Sequence, residues 1–209
     1  MKKEIEHIIF DLGGVLLNID LARIVNGFEH IMHPNEEVGA YIRHNLVPDY
    51  ETGRISTEEF LTYLESHLRP EYDRNEIVKV WNSIFLDFPK ERLDMLNELR
   101  KNYQVHLLSN INDMHAERFE NHFRNWFNED PRKYFHQFFY SHQIGKRKPD
   151  VETFNWVVKE INSEAHKILF IDDLEENILG AKNAGINGEH LNLKETDVIN
   201  LMRKLGYLK

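Results

Sequence analysis

The chain has 209 residues, enough for one large domain or for a domain that carries an insertion. Its net charge of −9 argues against a nucleic-acid groove, which needs a basic face, but leaves room for a small phosphorylated substrate held by one lysine and a metal. With no cysteine it has no disulfide framework, thiol nucleophile or thiolate metal site.

Hydrophobic residues make up 41% and charged residues 29%, the balance of a globular fold. No apolar run approaches the ~18 residues of a membrane span. The Met-Lys-Lys-Glu start lacks the apolar region of a signal peptide, and a cytoplasmic location fits. His30 and His33 have no acidic or histidine partner at ligand spacing, so they read as a solvated helix face rather than a metal site.

The first pattern along the chain is His7-Ile8-Ile9-Phe10-Asp11-Leu12-Gly13-Gly14. A short apolar run that ends on glycines reads as a strand buried on both faces, with Asp11 at its carboxyl end. Open α/β sheets place their ligand crevice at that end. Residues 18–88 then read as helices, with Leu21, Ile24, Val25 and Phe28 on one face and Phe60, Leu61, Leu64 and Leu68 on another. Ser56, followed by Glu58 and Glu59, is a helix start. Ile77, Val80, Trp81 and Ile84 form a further apolar face.

From Pro89 the pattern alternates. Leu93, Leu96 and Leu99 mark a helix, and residues 105–108 a strand ending at Ser109-Asn110. Further strands follow at 138–140 and 168–171, the latter ending at Asp172-Asp173, with helices around 114–123 and 151–161 between them. A short last strand at 190–192 precedes a closing helix near 197–205. Such alternation predicts βαβ units and a parallel sheet. The aromatic run Phe119, Phe123, Trp126, Phe127, Tyr134, Phe135, Phe138 and Phe139 is expected to fill core beneath a long connection.

The polar clusters Asp11, Ser109-Asn110 and Asp172-Asp173 all follow strands, so a parallel sheet gathers them at one edge, and Lys148 lies in a later loop. Clustered carboxylates suit magnesium, which prefers oxygen ligands. A hydroxyl, an amide and an ammonium together suit phosphate oxygens. A carboxylate beside both can attack phosphorus. Each cluster alone also has a plain structural explanation, such as a helix cap or a solvated loop. Their order and strand-end placement favour the chemical reading.

The chain resembles haloacid dehalogenase superfamily hydrolases of the branch with a helical cap inserted after the first strand. The likeness is carried by Phe-Asp11-Leu-Gly13-Gly-Val, Leu-Leu-Ser109-Asn110, Gly-Lys-Arg-Lys148-Pro149-Asp150, and Phe-Ile-Asp172-Asp173 with Asn177 and Gly180-Ala181. The cap segment Tyr50-Glu-Thr-Gly53-Arg-Ile55-Ser56 is similar too. The resemblance implies an α/β fold: a Rossmann-like parallel sheet with its first strand central, formed by residues 1–16 and 89–209, and a small helical cap at 17–88. It implies a magnesium-dependent phosphatase acting on a small phosphorylated metabolite, with no nucleic-acid or membrane partner. By position, Asp11 is the nucleophile and a metal ligand, the Gly13 carbonyl and Asp173 are further Mg2+ ligands, and Asp172 assists. Ser109 and Asn110 hold the phosphoryl group, Lys148 neutralises charge on it and on the nucleophile, and Asn177 supports the metal site.

One position departs from the pattern. Where phosphatases of this family carry a second aspartate as general acid and base, this chain has Gly13. That group is worth ~10² to 10⁴ in rate. Three outcomes are compatible with its loss: a phosphatase for good leaving groups such as an anomeric sugar phosphate, recruitment of His115, Asp113, Asp20 or Arg23, or a phosphate-binding protein of low turnover. His115 is also a candidate substrate contact; Tyr41, Arg43 and His44 of the cap are candidates for the same role, with surface packing the favoured reading. A metal-independent haloacid dehalogenase is disfavoured, because Asp172 and Asp173 would repel without a cation.

Overall fold

The computed structural model describes residues 4–209. β1 (His7–Phe10) is followed by a helical block: α1 (Leu21–Ile31), α2 (Glu36–Tyr41), α3 (Val47–Glu51), α4 (Thr57–Glu65) and α5 (Arg74–Trp81). A π-helical turn, Ile42–Leu46, joins α2 to α3. The chain then alternates through α6 (Lys90–Leu99), β2 (Gln104–Ser109), α7 (Asp113–Phe127), β3 (Gln137–Tyr140), the single-turn α8 (Ser141–Ile144), α9 (Val151–Ile161), β4 (Ile168–Asp172), α10 (Glu175–Asn183), β5 (Asn187–His190) and α11 (Val198–Lys204).

The five strands form one sheet in the order β3-β2-β1-β4-β5, and every neighbouring pair is parallel. Strand alternation divides the interior into two layers. Ile8 and Phe10 of β1 join one apolar cluster, with Leu107 and Ile171, while Ile9 joins the other, with Leu108 and Phe170. Burial on both faces explains why these strands read as continuous apolar runs. Most of the aromatic run packs as expected: Phe119, Phe123, Tyr134 and Phe135 are buried in the first cluster and Phe139 in the second, whereas Trp126 is exposed.

The helical block has an apolar cluster of its own, including Ile31, Tyr50, Phe60, Leu64, Ile77 and Trp81. Its entry and exit run side by side: the Asn18 amide donates to Asp87 O at 2.9 Å, Leu86 N to Asn18 O at 3.0 Å, and Asp20 N to Ile84 O at 2.8 Å. α4 begins with the capping box that Ser56 and Glu59 announce.

Two local expectations are corrected. The inward face of α1 is Ile24, Phe28 and Ile31, while Leu21, at the mouth of the active-site cavity, and Val25 are 64% and 53% exposed. Helical spacing admits either stripe, and packing against α5 selects the former. The last strand is Asn187–His190, three residues earlier than expected at its start. As an edge strand it needs no apolar run, and its one buried residue is Gly188, seated against Ile178.

Candidate active site

The register Phe10↔Leu107 and Phe10↔Ile171 aligns the carboxyl ends of β1, β2 and β4. Asp11, Ser109 and Asp172 therefore emerge at one edge and line or adjoin a cavity of about 250 Å³. Lys148 arrives from the loop before α9 and is buried, 1% exposed. Its Nζ donates to Asp11 Oδ1 and to Asp172 Oδ2, both at 2.6 Å. Burial alone would lower the lysine's pKa, but the two carboxylates outweigh it and leave it raised.

Asp172 is wholly enclosed. Its Oδ1 accepts from Leu174 N at 2.9 Å, and Asn177 Nδ2 donates to both of its oxygens at 3.0 Å. Asp172 thus anchors Lys148 and the start of α10. Asp173, half-buried, lies against Gly14, whose φ is +78°. A side chain there would put its Cβ 2.5 Å from Asp173 Oδ2, so glycine is required both for the left-handed backbone and for the approach of the carboxylate.

Asp11, Asp172 and Asp173 each offer a carboxylate oxygen within 4.8 Å of the others, against one lysine. The imbalance shows in their protonation. Burial, then the Asp172 and Asp173 charges, push Asp11 up to about 7 despite Lys148, and burial followed by Asp172 raises Asp173. A divalent cation removes that penalty, so the donor set fits magnesium. Asp11 Oδ2 accepts no protein hydrogen bond among the described residues.

Ser109 lines the cavity, and its hydroxyl has no protein partner among the described residues. Asn110 has a duty that the sequence did not suggest: its Nδ2 donates to Lys148 O at 2.8 Å while its Oδ1 accepts from Lys148 N at 2.9 Å. This two-way clasp fixes the backbone that carries Lys148, leaving one amide hydrogen for another acceptor. The Lys148–Pro149 peptide is cis.

The groups considered as replacements for the missing aspartate sit poorly for that role. His115 lines the cavity, but its Nε2 donates to Trp81 O at 2.9 Å and its Nδ1 accepts from Asn112 at 3.1 Å, with the ring stacked on Trp81. Burial lowers its pKa to about 4. With both nitrogens engaged by protein partners, the ring stands as part of the cavity wall. Asp20 caps α1 and pairs with Arg23; Asp113 lies 3.8 Å from His142 in a separate cavity. Neither Asp20, Arg23, Asp113, Tyr41, Arg43 nor His44 lines the cavity that holds Asp11.

Residues 8–188 match the model of the family described as haloacid dehalogenase-like hydrolase. The chain belongs to that family. Among curated relatives of this hydrolase, a D-ribitol-5-phosphate phosphatase from Bacteroides thetaiotaomicron is 28% identical, covering 87% of this chain and 89% of that protein. The sesquiterpene phosphatase astK from Aspergillus oryzae is 29% identical, covering 88% of each. Among solved structures, a HAD family enzyme, bt-2542, from Bacteroides thetaiotaomicron in complex with magnesium and inorganic phosphate superposes with a TM-score of 0.85 at 30% identity, covering 95% of this chain and all of that one. A predicted HAD-like hydrolase from Porphyromonas gingivalis gives a TM-score of 0.82 at 26% identity, covering 97% and 98%.

The hydrolase's cavity also contains a pair that sequence reasoning missed. Glu51, the last residue of α3, accepts from Arg147 Nη2 at 2.9 Å, and both line the cavity. Both lay within stretches that carry the family resemblance, but neither position advertises a partner 96 residues away.

Proposed function

We propose that this hydrolase is a magnesium-dependent phosphatase that acts on a small phosphomonoester, such as a sugar phosphate, through an aspartyl-phosphate on Asp11. The observation that carries the reading is the cluster itself: three carboxylates around one buried lysine, with Asp11 Oδ2 open to the cavity beside the Ser109 hydroxyl. The magnesium and phosphate bound to the related Bacteroides enzyme support it.

Asp11, Asp173 and the Gly13 carbonyl would hold the ion, with Asp172 behind them. When bound, Mg2+ supplies positive charge to the phosphoryl oxygens and to Asp11. Asp11 Oδ2 forms the bond to phosphorus as the ester oxygen departs, and water then cleaves the acyl phosphate. Lys148 favours the ionised form of Asp11 and offsets charge on the transferring group, while Ser109 and the free hydrogen of Asn110 donate to its oxygens. With Gly13 in place of the acid, the departing oxygen takes its proton from water, which favours leaving groups of low basicity.

Residues 17–88 are read as a cap over a core of residues 1–16 and 89–209. Their own apolar cluster and the backbone pairing of their entry and exit segments support this reading. Closure of the cap would exclude water during transfer. No helix among the described residues is long and apolar enough to cross a membrane, and we place the protein in the cytoplasm.

The test is phosphate release from a panel of phosphomonoesters with and without magnesium. Wild type should require the metal, and Asp11→Asn should be inactive. Equal rates for the two proteins would overturn the assignment. Beryllofluoride trapping on Asp11 without turnover on any ester would instead favour the phosphate-binding reading that Gly13 leaves open.

A further inference from the structure

The phosphate end of the cavity accounts for Asp11, Lys148 and Asp173, yet two further charged side chains line it: Glu51 from the helical block and Arg147 from the loop that carries Lys148. The remaining walls are largely apolar, including Leu17, Ile19, Leu21, Ile84, Phe85 and Leu174. An ion pair among such walls contributes little net stability of its own, because desolvation roughly offsets its attraction.

Both partners are held in place. Tyr50, beside Glu51, is buried against Phe60 at a ring separation of 4.4 Å, and its hydroxyl meets Thr57 Oγ1 at 2.8 Å and accepts from Met114 N at 3.3 Å. Gly53, with φ +67°, brings the turn after Glu51 onto the core: a Cβ there would sit 2.5 Å from His142 O. On the other side, Arg147 O accepts from Thr153 Oγ1 at 2.7 Å.

The pair is not saturated. Arg147 Nε is buried with no hydrogen-bond partner, and Glu51 Oε1 has no protein donor among the described residues. Orphaned buried donors are rare and usually find a ligand or water. The pair's net charge is zero, so it offers a donor and an acceptor without attracting a second anion. That chemistry matches vicinal hydroxyl groups.

Building on the phosphatase reading, we propose that Glu51 and Arg147 are the specificity-determining residues for the leaving group, selecting the monophosphate of an uncharged, polyhydroxylated chain over that of an apolar alcohol. Glu51 Oε1 accepts from one hydroxyl, and Arg147 Nη1, which makes no protein hydrogen bond among the described residues, donates to its neighbour. The two relatives of nearly equal identity bear names at the two extremes, a ribitol phosphate and a sesquiterpene phosphate.

The experiment measures kcat/KM with magnesium for ribitol 5-phosphate, farnesyl phosphate and p-nitrophenyl phosphate, using wild type, Glu51→Gln and Arg147→Gln. Wild type should prefer the polyol ester to the farnesyl ester at least tenfold. Each variant should lower the ratio of polyol to p-nitrophenyl ester at least tenfold, mainly by raising KM for the polyol. A preference for the farnesyl ester, or an unchanged ratio in folded variants, overturns the assignment while leaving the phosphatase reading intact. Failure of wild type to release phosphate from any of the three overturns the phosphatase reading, and this assignment falls with it.

Discussion

Replacing Asp11 with asparagine should abolish activity and yet stabilise the metal-free protein. Asp11 sits with Asp172 and Asp173 around one lysine, and its pKa rises from 3.8 to about 7. Some three pKa units at 1.36 kcal/mol each correspond to about 4 kcal/mol of strain in the ionised, ion-free site. Asparagine removes the charge but keeps an oxygen for Lys148 Nζ, so a gain of about 2–4 kcal/mol is expected at pH 8. In a chain of this length that is a rise in Tm of about 4–16 °C. The sign with pH follows from linkage. The folded pKa lies above the unfolded one, so wild type pays no penalty below about pH 4, and the full penalty appears only above about pH 7. The variant's advantage should therefore shrink as pH falls through that window. Thermal melts in EDTA at pH 8 and pH 4.5 measure it, and magnesium should raise the Tm of wild type more than that of the variant. A variant that melts at or below wild type in EDTA at pH 8 would refute the charge reasoning.

Three further substitutions probe separate parts of the site. Lys148→Met leaves three carboxylates without their cation and should cost about 3–5 kcal/mol in metal-free urea melts at pH 8. The loss should be smaller at pH 5, where Asp11 is protonated. Gly14→Ala forces a Cβ to within 2.5 Å of Asp173 Oδ2 at a φ of +78°. It should cost about 1–2 kcal/mol of stability and raise the magnesium concentration for half-maximal activity about tenfold. Asn110→Ala removes the clasp on Lys148 and should lower kcat about tenfold or more with little change in KM, because displacement of a catalytic group is felt mainly in the chemical step; steady-state kinetics at saturating magnesium would check it.

Much of this site is legible in the sequence because parallel strands deliver their carboxyl ends to one edge. Asp11, Ser109 and Asp172 each close an apolar run, so their convergence follows from topology alone. Asn177 is reached only through the family resemblance, and it donates to Asp172 from the first turn of α10. What the sequence hides are contacts that depend on how one element is aimed at another. The clasp of Asn110 on the Lys148 backbone spans 38 residues, and both groups also make sense as plain phosphate contacts. His115 looks reactive as a letter in the sequence, and only the packing of Trp81 over its ring reveals that its nitrogens are engaged. Glu51 and Arg147 meet only because the helical block folds back over the sheet edge. The stripe of α1 is hidden for a related reason: periodicity states that a face exists, and tertiary contacts choose which one is buried.

The central claim is that Asp11 accepts a phosphoryl group in a magnesium-dependent step, and beryllofluoride, which mimics that group on a carboxylate, tests it directly. Fluorine NMR should show a bound adduct in wild type with magnesium, lost in Asp11→Asn and lost on chelation. An adduct that persists in the variant, or none in a wild type that still releases phosphate, would contradict the account.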